Sequence, residues 1–339
     1  MPAVDPYKKE AYLQLWQEAL KEIQPTPKNI PGPDITPKSY TTPPAKSNPS
    51  RQIGPYKLAT YHRSGLFSII FKCQNDNTSH FVALKLTCPS RMSPPHNSQR
   101  EARILAKAKH EHIIPLISTF TQPGDQFILV FPFKPYDLDE ALHQGILQPS
   151  DIRSHLHNLF SALAHLHSIG IIHRDVKPSN ILLASPSGPA YLADFGIAWI
   201  GGDVASEPAE EKITDVGTTA YRPPELLFGH TGYGTSIDLW AAGCVIAEAM
   251  MGGKKALFSA GPLGSELALI QSIFKTLGTP TDETWPVTSQ ICERRNGNLT
   301  LCGARKQEGF LIGARWNSTS IRRSRGRKSC LVLRMTYVT

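Results

Sequence analysis

The 339-residue sequence is poor in cysteine, and its six cysteines are not spaced for a metal site or a disulfide framework. They stand singly along the chain, at positions 73, 88, 244, 292, 302 and 330. Structural zinc sites and redox-active pairs need closely spaced cysteines, and small secreted folds need paired ones. The spacing argues against zinc and disulfides, and it favours free thiols in a reducing intracellular compartment, the nucleus or the cytoplasm.

Long apolar runs are also absent. No uncharged stretch of about 18 apolar residues occurs, and Asp5, Lys8, Lys9 and Glu10 stand where a secretory signal would have its apolar segment. We therefore expect a soluble protein without a membrane partner. With 40% hydrophobic residues, a chain of 339 residues can still bury a large core.

Acidic residues are nearly missing from the C-terminal part of the sequence. Residues 294–339 hold eleven Lys or Arg and one acid, Glu308, whereas the rest holds 25 bases and 27 acids, a net charge of −2. We expect no nucleic-acid partner for this nearly neutral main part. The alternative is that the basic tail binds phosphate backbones through its charge, with an affinity that falls steeply with salt.

One run carries a dense set of polar side chains suited to phosphate chemistry: Ile172-His173-Arg174-Asp175-Val176-Lys177-Pro178-Ser179-Asn180, followed by Asp194-Phe195-Gly196. The order and spacing of these residues resemble the catalytic motifs of protein kinases. The resemblance implies that Asp175 accepts the proton of a substrate hydroxyl and that Lys177 meets the transferring phosphate. It also implies that Asn180 and Asp194 hold Mg²⁺ against the phosphates of ATP.

These motifs resemble those of the eukaryotic protein kinases, with the cyclin-dependent kinase branch nearest. Three further runs follow the same order, Val82 to Lys85, Gly217 to Glu225 and Asp238 to Gly243. The resemblance implies an α+β, two-lobed kinase fold with a small β-rich lobe and a larger helical lobe. It also implies ATP and Mg²⁺ as cofactors, and the lysine two residues after Asp175 favours Ser or Thr as the acceptor.

The resemblance also assigns the ATP-binding residues. Lys85 would grip the α- and β-phosphates with Glu101 as its partner, and the adenine would be bound by the backbone of Pro132 and Lys134. The other predicted contacts come from the phosphate-covering loop and its flanks: His62, Gly65 and Ile70.

That loop departs from the G-x-G-x-x-G pattern, because Arg63 and Ser68 replace its first and third glycines. Glycine lets the backbone approach a phosphate closely, so we expect a reshaped loop and weaker ATP affinity. The alternative is a catalytically weak pseudokinase or scaffold that acts through the N-terminal helix and the basic tail.

Regulation is predicted at Thr214, three residues before Gly217, where many kinases are phosphorylated. Arg174 and Arg100 resemble two of the arginines that surround such a phosphate, while Trp199 stands at the position of the third. With one arginine missing and acidic Glu210 and Glu211 nearby, the loop is expected to need little or no phosphorylation.

The partners follow from two further runs. Residues 96–101 keep only the Arg-Glu end of the cyclin-contacting signature, so a cyclin requirement is not expected, and we expect a monomer. The run from Tyr221 to Gly229, and the loss of two glycines from the phosphate-covering loop, resemble the sequences of the fungal kinases that activate cyclin-dependent kinases. This resemblance implies a protein substrate, itself a cyclin-dependent kinase, in cell-cycle control.

The chain divides into four parts. Residues 1–24 read as an amphipathic helix, which either docks on a partner or packs on its own kinase lobe, and residues 25–52 as a proline-rich linker. Residues 53–290 form the kinase domain, with the small lobe at 53–131, the hinge at 132–135 and the large lobe at 136–290. Residues 291–339 form the basic tail.

The tail loses all helical periodicity where a kinase should continue through further helices. Disorder is one explanation. The other explanation is a retained intron or frame error between about Gln290 and Gly309. Residues 310–339, back-translated with degenerate codons and read one base out of frame, can encode kinase-like sequence such as LPDWGKMEF. The large lobe would then be truncated, and Glu225 would lack the arginine that pairs with it in kinases.

Overall fold

The computed structural model describes residues 52–75 and 78–280, with the backbone of short segments between residues 292 and 338. The predicted helix at 1–24, the linker up to residue 51 and residues 281–291 lie outside the described residues. In the predicted tail, only four short strands are described, without their side chains.

The small lobe is built on a five-stranded antiparallel sheet with the strand order β1-β2-β3-β5-β4. The alternating burial of β2 places Ile69, Phe71 and Cys73 against the lobe's core. The strands are β1 (Tyr56–Ser64), β2 (Ser68–Asn75), β3 (Phe81–Thr87), β4 (Ser118–Gln122) and β5 (Gln126–Pro132). β3 pairs with both β2 and β5, so Lys85 on β3 lies in the middle of the sheet.

Helix α1 (Ser98–Lys107) packs beside this sheet. Asn97 caps it, since its side chain accepts a hydrogen bond from the backbone N–H of Arg100 at 2.7 Å. The buried face carries Glu101, Ile104 and Leu105. A charged glutamate on the buried face needs a partner, and the position of α1 aims it at Lys85.

The large lobe is mainly helical. Its longest helix, α3, keeps Leu159, Leu163 and Leu166 on one buried face and ends before Gly170, whose φ of +72° suits the chain reversal. The helices are α2 (Leu138–His143), α3 (Pro149–Ser168), α4 (Pro224–Leu227), α5 (Ser236–Met250) and α6 (Glu266–Leu277).

Short strands and 3₁₀ turns frame the loops of the large lobe. β6, β8 and β9 form one small sheet, and β7 pairs with β10. These strands are β6 (Tyr136–Asp137), β7 (Ile171–Ile172), β8 (Ile181–Leu183), β9 (Ala190–Leu192) and β10 (Trp199–Ile200), and the 3₁₀ turns are Pro89–Arg91, Pro178–Asn180 and Thr219–Tyr221. In the tail, the strands are β11 (Cys292–Arg295), β12 (Asn298–Leu301), β13 (Gly313–Ala314) and β14 (Tyr337–Val338).

Among the described residues, one main hydrophobic core belongs to each lobe, and two smaller clusters lie in the large lobe. Phe71, Leu84 and Ile128 centre the core of the small lobe, while Leu163 and Phe195 belong to that of the large lobe, which extends up to α1. The predicted two-lobed α+β architecture is confirmed, with a cleft between the lobes. Among the described helices, none is long and apolar enough to cross a membrane.

Candidate active site

Asp175 lies in the loop between β7 and β8, and four hydrogen bonds fix its carboxylate. Lys177 Nζ donates to Oδ2 at 2.8 Å, and Asn180 Nδ2 donates to the same oxygen at 3.0 Å. The backbone N–H and the hydroxyl of Thr218 donate to Oδ1 at 3.0 and 2.9 Å. A carboxylate held in this way is oriented, as a proton acceptor must be.

Lys85 joins Glu101 and Asp194 into one charged group. Its Nζ lies 2.7 and 2.8 Å from the two oxygens of Glu101 and 2.7 Å from Oδ1 of Asp194. Burial would lower the pKa of the Lys85 ammonium, but the charges of Asp194 and Glu101 outweigh it and raise that pKa above its usual value. Lys85 therefore stays protonated. Its ion pair with Glu101 holds α1 close to the cleft.

Asp194 and Asn180 fit the donor set of a magnesium site. Desolvation would raise the pKa of Asp194, but the Lys85 charge and hydrogen bond outweigh it and lower that pKa well below its usual value. Both side-chain hydrogen bonds of Asn180 are donated by its amide nitrogen, so its Oδ1 accepts none from the described part of the chain. Asp194 also adopts a φ of +64°, a strained conformation that is common at functional sites. Mg²⁺ prefers such oxygen ligands and takes the others from phosphates and water.

The cleft between the lobes encloses about 260 Å³, and the predicted ATP-binding residues line it. Its upper wall is formed by the small lobe, and the segment after β5 closes one side. The predicted lining residues that the structure places here are His62, Gly65, Ile70, Lys85, Glu101, Pro132, Lys134, Lys177, Asn180 and Asp194. The predicted ATP-binding and metal-binding residues thus converge on one cavity, and Asp175 is hydrogen-bonded to Lys177 and Asn180 in its lining.

Arg63 joins the small lobe to the large lobe across this cleft. Its Nη2 lies 2.6 Å from Oδ2 of Asp137, whose other oxygen accepts a hydrogen bond from the N–H of Glu140 and caps α2. Asp137 is buried, whereas the Arg63 side chain is 45% exposed. An ion pair this exposed contributes about 1 kcal/mol or less to holding the two lobes together across the cleft.

We expect Arg63→Gly to lower the KM for ATP by about three- to fivefold, the equivalent of about 1 kcal/mol. The change removes the ion pair across the cleft and restores a glycine where the loop approaches the phosphates. Initial rates measured against ATP concentration give the KM. Arg63→Lys, which keeps the charge, should retain the parent KM, and a higher KM in Arg63→Gly would mean that Arg63 itself binds ATP.

The predicted regulatory residues are only partly brought together. Arg174 and Arg100 converge, but the group between them is the carboxylate of Glu207. Within the described residues, Thr214 forms no hydrogen bond to either arginine. Its backbone carbonyl accepts a hydrogen bond from the N–H of Val216, and this is its only hydrogen bond there. Glu210 and Glu211, the acids that the sequence suggested, are exposed.

Sequence reasoning missed several residues of the site. Thr218 and Asp238 stand in runs that carried the family resemblance, but nothing in the spacing showed that both would bond to the loop of Asp175. Asp137 and Glu207 have no local signal, because their partners lie 74 and 33 residues away. Within the described residues, no Lys or Arg forms an ion pair with Glu225, and burial raises the pKa of its carboxyl.

A sequence profile of the protein kinase domain matches residues 63–321. Cyclin-dependent kinase 7 of Xenopus laevis is 34% identical over 243 residues, which cover 70% of this chain and 66% of that protein. Cyclin-dependent kinase D-1 of Arabidopsis thaliana is 34% identical over 232 residues, covering 67% of this chain and 55% of that protein. The chain thus spans slightly less than two thirds of the length of the Xenopus protein and about half of the length of the Arabidopsis protein.

A solved structure agrees with the sequence matches. The crystal structure of the yeast RNA Pol II CTD kinase CTDK-1 complex superposes with a TM-score of 0.59 and 29% identity, over 76% of both chains. The profile match covers more than half of the chain, and the relatives are cyclin-dependent kinases. The chain therefore belongs to the protein kinase family, on its cyclin-dependent-kinase-like branch.

Proposed function

We propose that this protein transfers the γ-phosphoryl group of ATP to serine or threonine side chains of proteins. The observation that carries the proposal is the arrangement of Asp175, Lys177 and Asn180 at one side of the cleft while the Lys85–Glu101 ion pair is formed at 2.7 Å. Protein kinases of this type use ATP and Mg²⁺.

The residues of the chain divide the work as follows. Asp175 orients the acceptor hydroxyl and takes its proton, while Lys177, 2.8 Å from both Asp175 and Thr218, faces the phosphate in transfer. Lys85 holds the α- and β-phosphates, and Glu101 fixes its direction. Asn180 and Asp194 would hold Mg²⁺, which neutralises phosphate charge when it is bound.

The hydrogen bond from Lys177 to the Thr218 hydroxyl supports a Ser/Thr acceptor. It extends the lysine along the floor of the cleft between the loop of Asp175 and the 3₁₀ turn Thr219–Tyr221. The acceptor preference rests on this arrangement and on the spacing of the motif.

A cyclin-dependent kinase is the proposed protein substrate, and the support is the resemblance of the segment from Tyr221 to Gly229 to kinases with that substrate. A cyclin is not proposed as a requirement, because α1 already holds Glu101 against Lys85 in the single chain. An intracellular location, in the nucleus or the cytoplasm, agrees with Cys88 and Cys244, which are buried and form no disulfide within the described residues.

Phosphoryl transfer from radiolabelled ATP tests the proposal. The full chain is incubated with Mg²⁺ and either an inactive cyclin-dependent kinase or a peptide of the RNA polymerase II C-terminal domain. We expect label on the former, as phosphoserine or phosphothreonine, and its loss when EDTA removes Mg²⁺. Label on the peptide alone would overturn the proposed substrate, and phosphotyrosine would overturn the proposed acceptor.

A pseudokinase scaffold is the second candidate, and the ion pair between Arg63 and Asp137 is the observation in its favour. It ties the phosphate-covering loop to the opposite lobe at 2.6 Å, in the space where a nucleotide would enter. A scaffold needs no nucleotide. Failure of the full chain to bind ATP with either Mg²⁺ or Mn²⁺ would support this candidate over catalysis.

A further inference from the structure

Two buried arginines meet beside the catalytic loop. Arg174 precedes Asp175, and its side chain is 0% exposed. Arg100, on α1, is 2% exposed, and burial together with the nearby charge of Arg174 lowers the pKa of its guanidinium. Two like charges withdrawn from water destabilise the fold unless an anion lies between them.

Glu207 supplies that anion from the segment after β10. Its two carboxylate oxygens accept hydrogen bonds from Nη1 and Nη2 of Arg174 at 3.2 and 3.1 Å, and Nη1 of Arg100 lies 3.9 Å away. The bidentate geometry is the strongest form of an arginine–carboxylate contact. Burial would raise the pKa of the Glu207 carboxyl, but Arg174 outweighs it and lowers that pKa below its usual value. Glu207 is therefore ionised.

The backbone around Glu207 is fixed as well. Trp199 stands where the family resemblance places a third arginine, and its indole Nε1 donates to the carbonyl of Glu207 at 2.9 Å. Nη1 of Arg100 donates to the carbonyl of Ala205 at 2.6 Å. The segment thus approaches the arginines with its carboxylate already directed at them.

A second ion pair ties the same segment to α1. Arg103, one turn after Arg100, donates to both oxygens of Asp203 at 2.7 and 2.8 Å. This contact links α1 to the segment, although the Arg103 side chain is 41% exposed to solvent. Together with Glu207 it holds the helix that carries Glu101.

These contacts lead directly to the catalytic groups. Arg100 and Glu101 are neighbours on α1, and Glu101 holds Lys85. Arg174 is next to Asp175, and its φ of +70° is held by hydrogen bonds to Ile197 and Asp238 as well as by Glu207. One carboxylate therefore steadies the residues adjacent to both Glu101 and Asp175.

We propose that Glu207 is a positioning residue for phosphoryl transfer, whose permanent negative charge holds Arg100 and Arg174 in place without phosphorylation of the segment after β10. The proposal rests on the proposed kinase function. Thr214 is not the anion donor, because Glu207 already occupies the space between the guanidinium groups. Phosphorylation of Thr214 would bring a second anion to a pair of arginines that already share the carboxylate of Glu207.

Variants of the full chain test the proposal after treatment with a phosphatase, with mass spectrometry to verify that no phosphate is left. Glu207→Gln keeps the size of the side chain and removes its charge, so we expect kcat to fall by about 10- to 100-fold while the KM for ATP changes less. Glu207→Asp should recover part of the loss. Glu211→Gln, an exposed neighbour, and Thr214→Ala should both retain the parent kcat.

The proposal is overturned if phosphatase treatment or Thr214→Ala inactivates the parent, or if Glu207→Gln is as active as Glu211→Gln. A second measurement does not depend on activity or on a variant that folds. Hydrogen exchange of α1 and residues 203–207 in the parent should be the same before and after phosphatase treatment. If the parent transfers no phosphate but shows this protection, the proposed function fails while the Glu207 contact stands.

Discussion

Asp175→Asn is expected to lower kcat for phosphoryl transfer by about 10²- to 10⁴-fold, with the KM for ATP little changed. The amide cannot take up the proton of the acceptor hydroxyl. The amide also replaces one acceptor oxygen by a donor NH₂ group, whereas Lys177, Asn180 and Thr218 all donate to the present carboxylate. Single-turnover rates at saturating ATP measure the chemical step.

A matched control separates the charge of Asp175 from a general loss of stability. Asp139→Asn changes a 44%-exposed carboxylate in the first turn of α2 and should retain the parent rate. Thermal melting should be similar for both variants. A rate for Asp175→Asn equal to that of the parent would contradict the assignment of Asp175 as the base.

Asp238→Ala is expected to destabilise the fold by about 2–5 kcal/mol. The carboxylate of Asp238 is 1% exposed, and it accepts hydrogen bonds from the backbone N–H groups of His173 and Arg174, both at 2.9 Å. His167 Nε2 lies 2.9 Å from the same group. Truncation to alanine leaves two buried N–H groups without an acceptor, directly beside Asp175.

Chemical denaturation of the parent and the variant gives the difference in the free energy of unfolding. Asp215→Ala is the control, because it removes a 59%-exposed carboxylate that pairs with Arg222 at 2.7 Å. An exposed ion pair contributes about 1 kcal/mol or less, so this variant should melt close to the parent. Equal stabilities of Asp238→Ala and Asp215→Ala would show that Asp238 does not support the catalytic loop.

The catalytic centre was largely predictable from the sequence. Asp175, Lys177 and Asn180 stand in one short run, so the loop that carries them brings them close together. The contact between Lys85 and Glu101 required only that a central strand and the next helix pack side by side. The structure places all of these residues at the cleft, where the resemblance to kinases implied they would be.

The contacts that regulate and shape the site were not predictable. The pairing of Arg63 with Asp137 depends on how closely the two lobes approach, and Glu207 reaches Arg174 only because of the path that the segment after β10 takes. The sequence did suggest an acidic substitute for phosphate, but it pointed to Glu210 and Glu211. A charge pattern shows that acids are near, whereas only the backbone path decides which one is buried.

The rate of phosphate transfer by the full, unphosphorylated chain, measured together with its nucleotide affinity, tests the central claim most directly. With Mg²⁺ and ATP, we predict transfer to serine or threonine of a protein substrate, and its loss in Asp194→Asn. Absence of transfer with both Mg²⁺ and Mn²⁺, together with no detectable binding of ATP, would contradict the claim that this cleft is the active site of a working kinase.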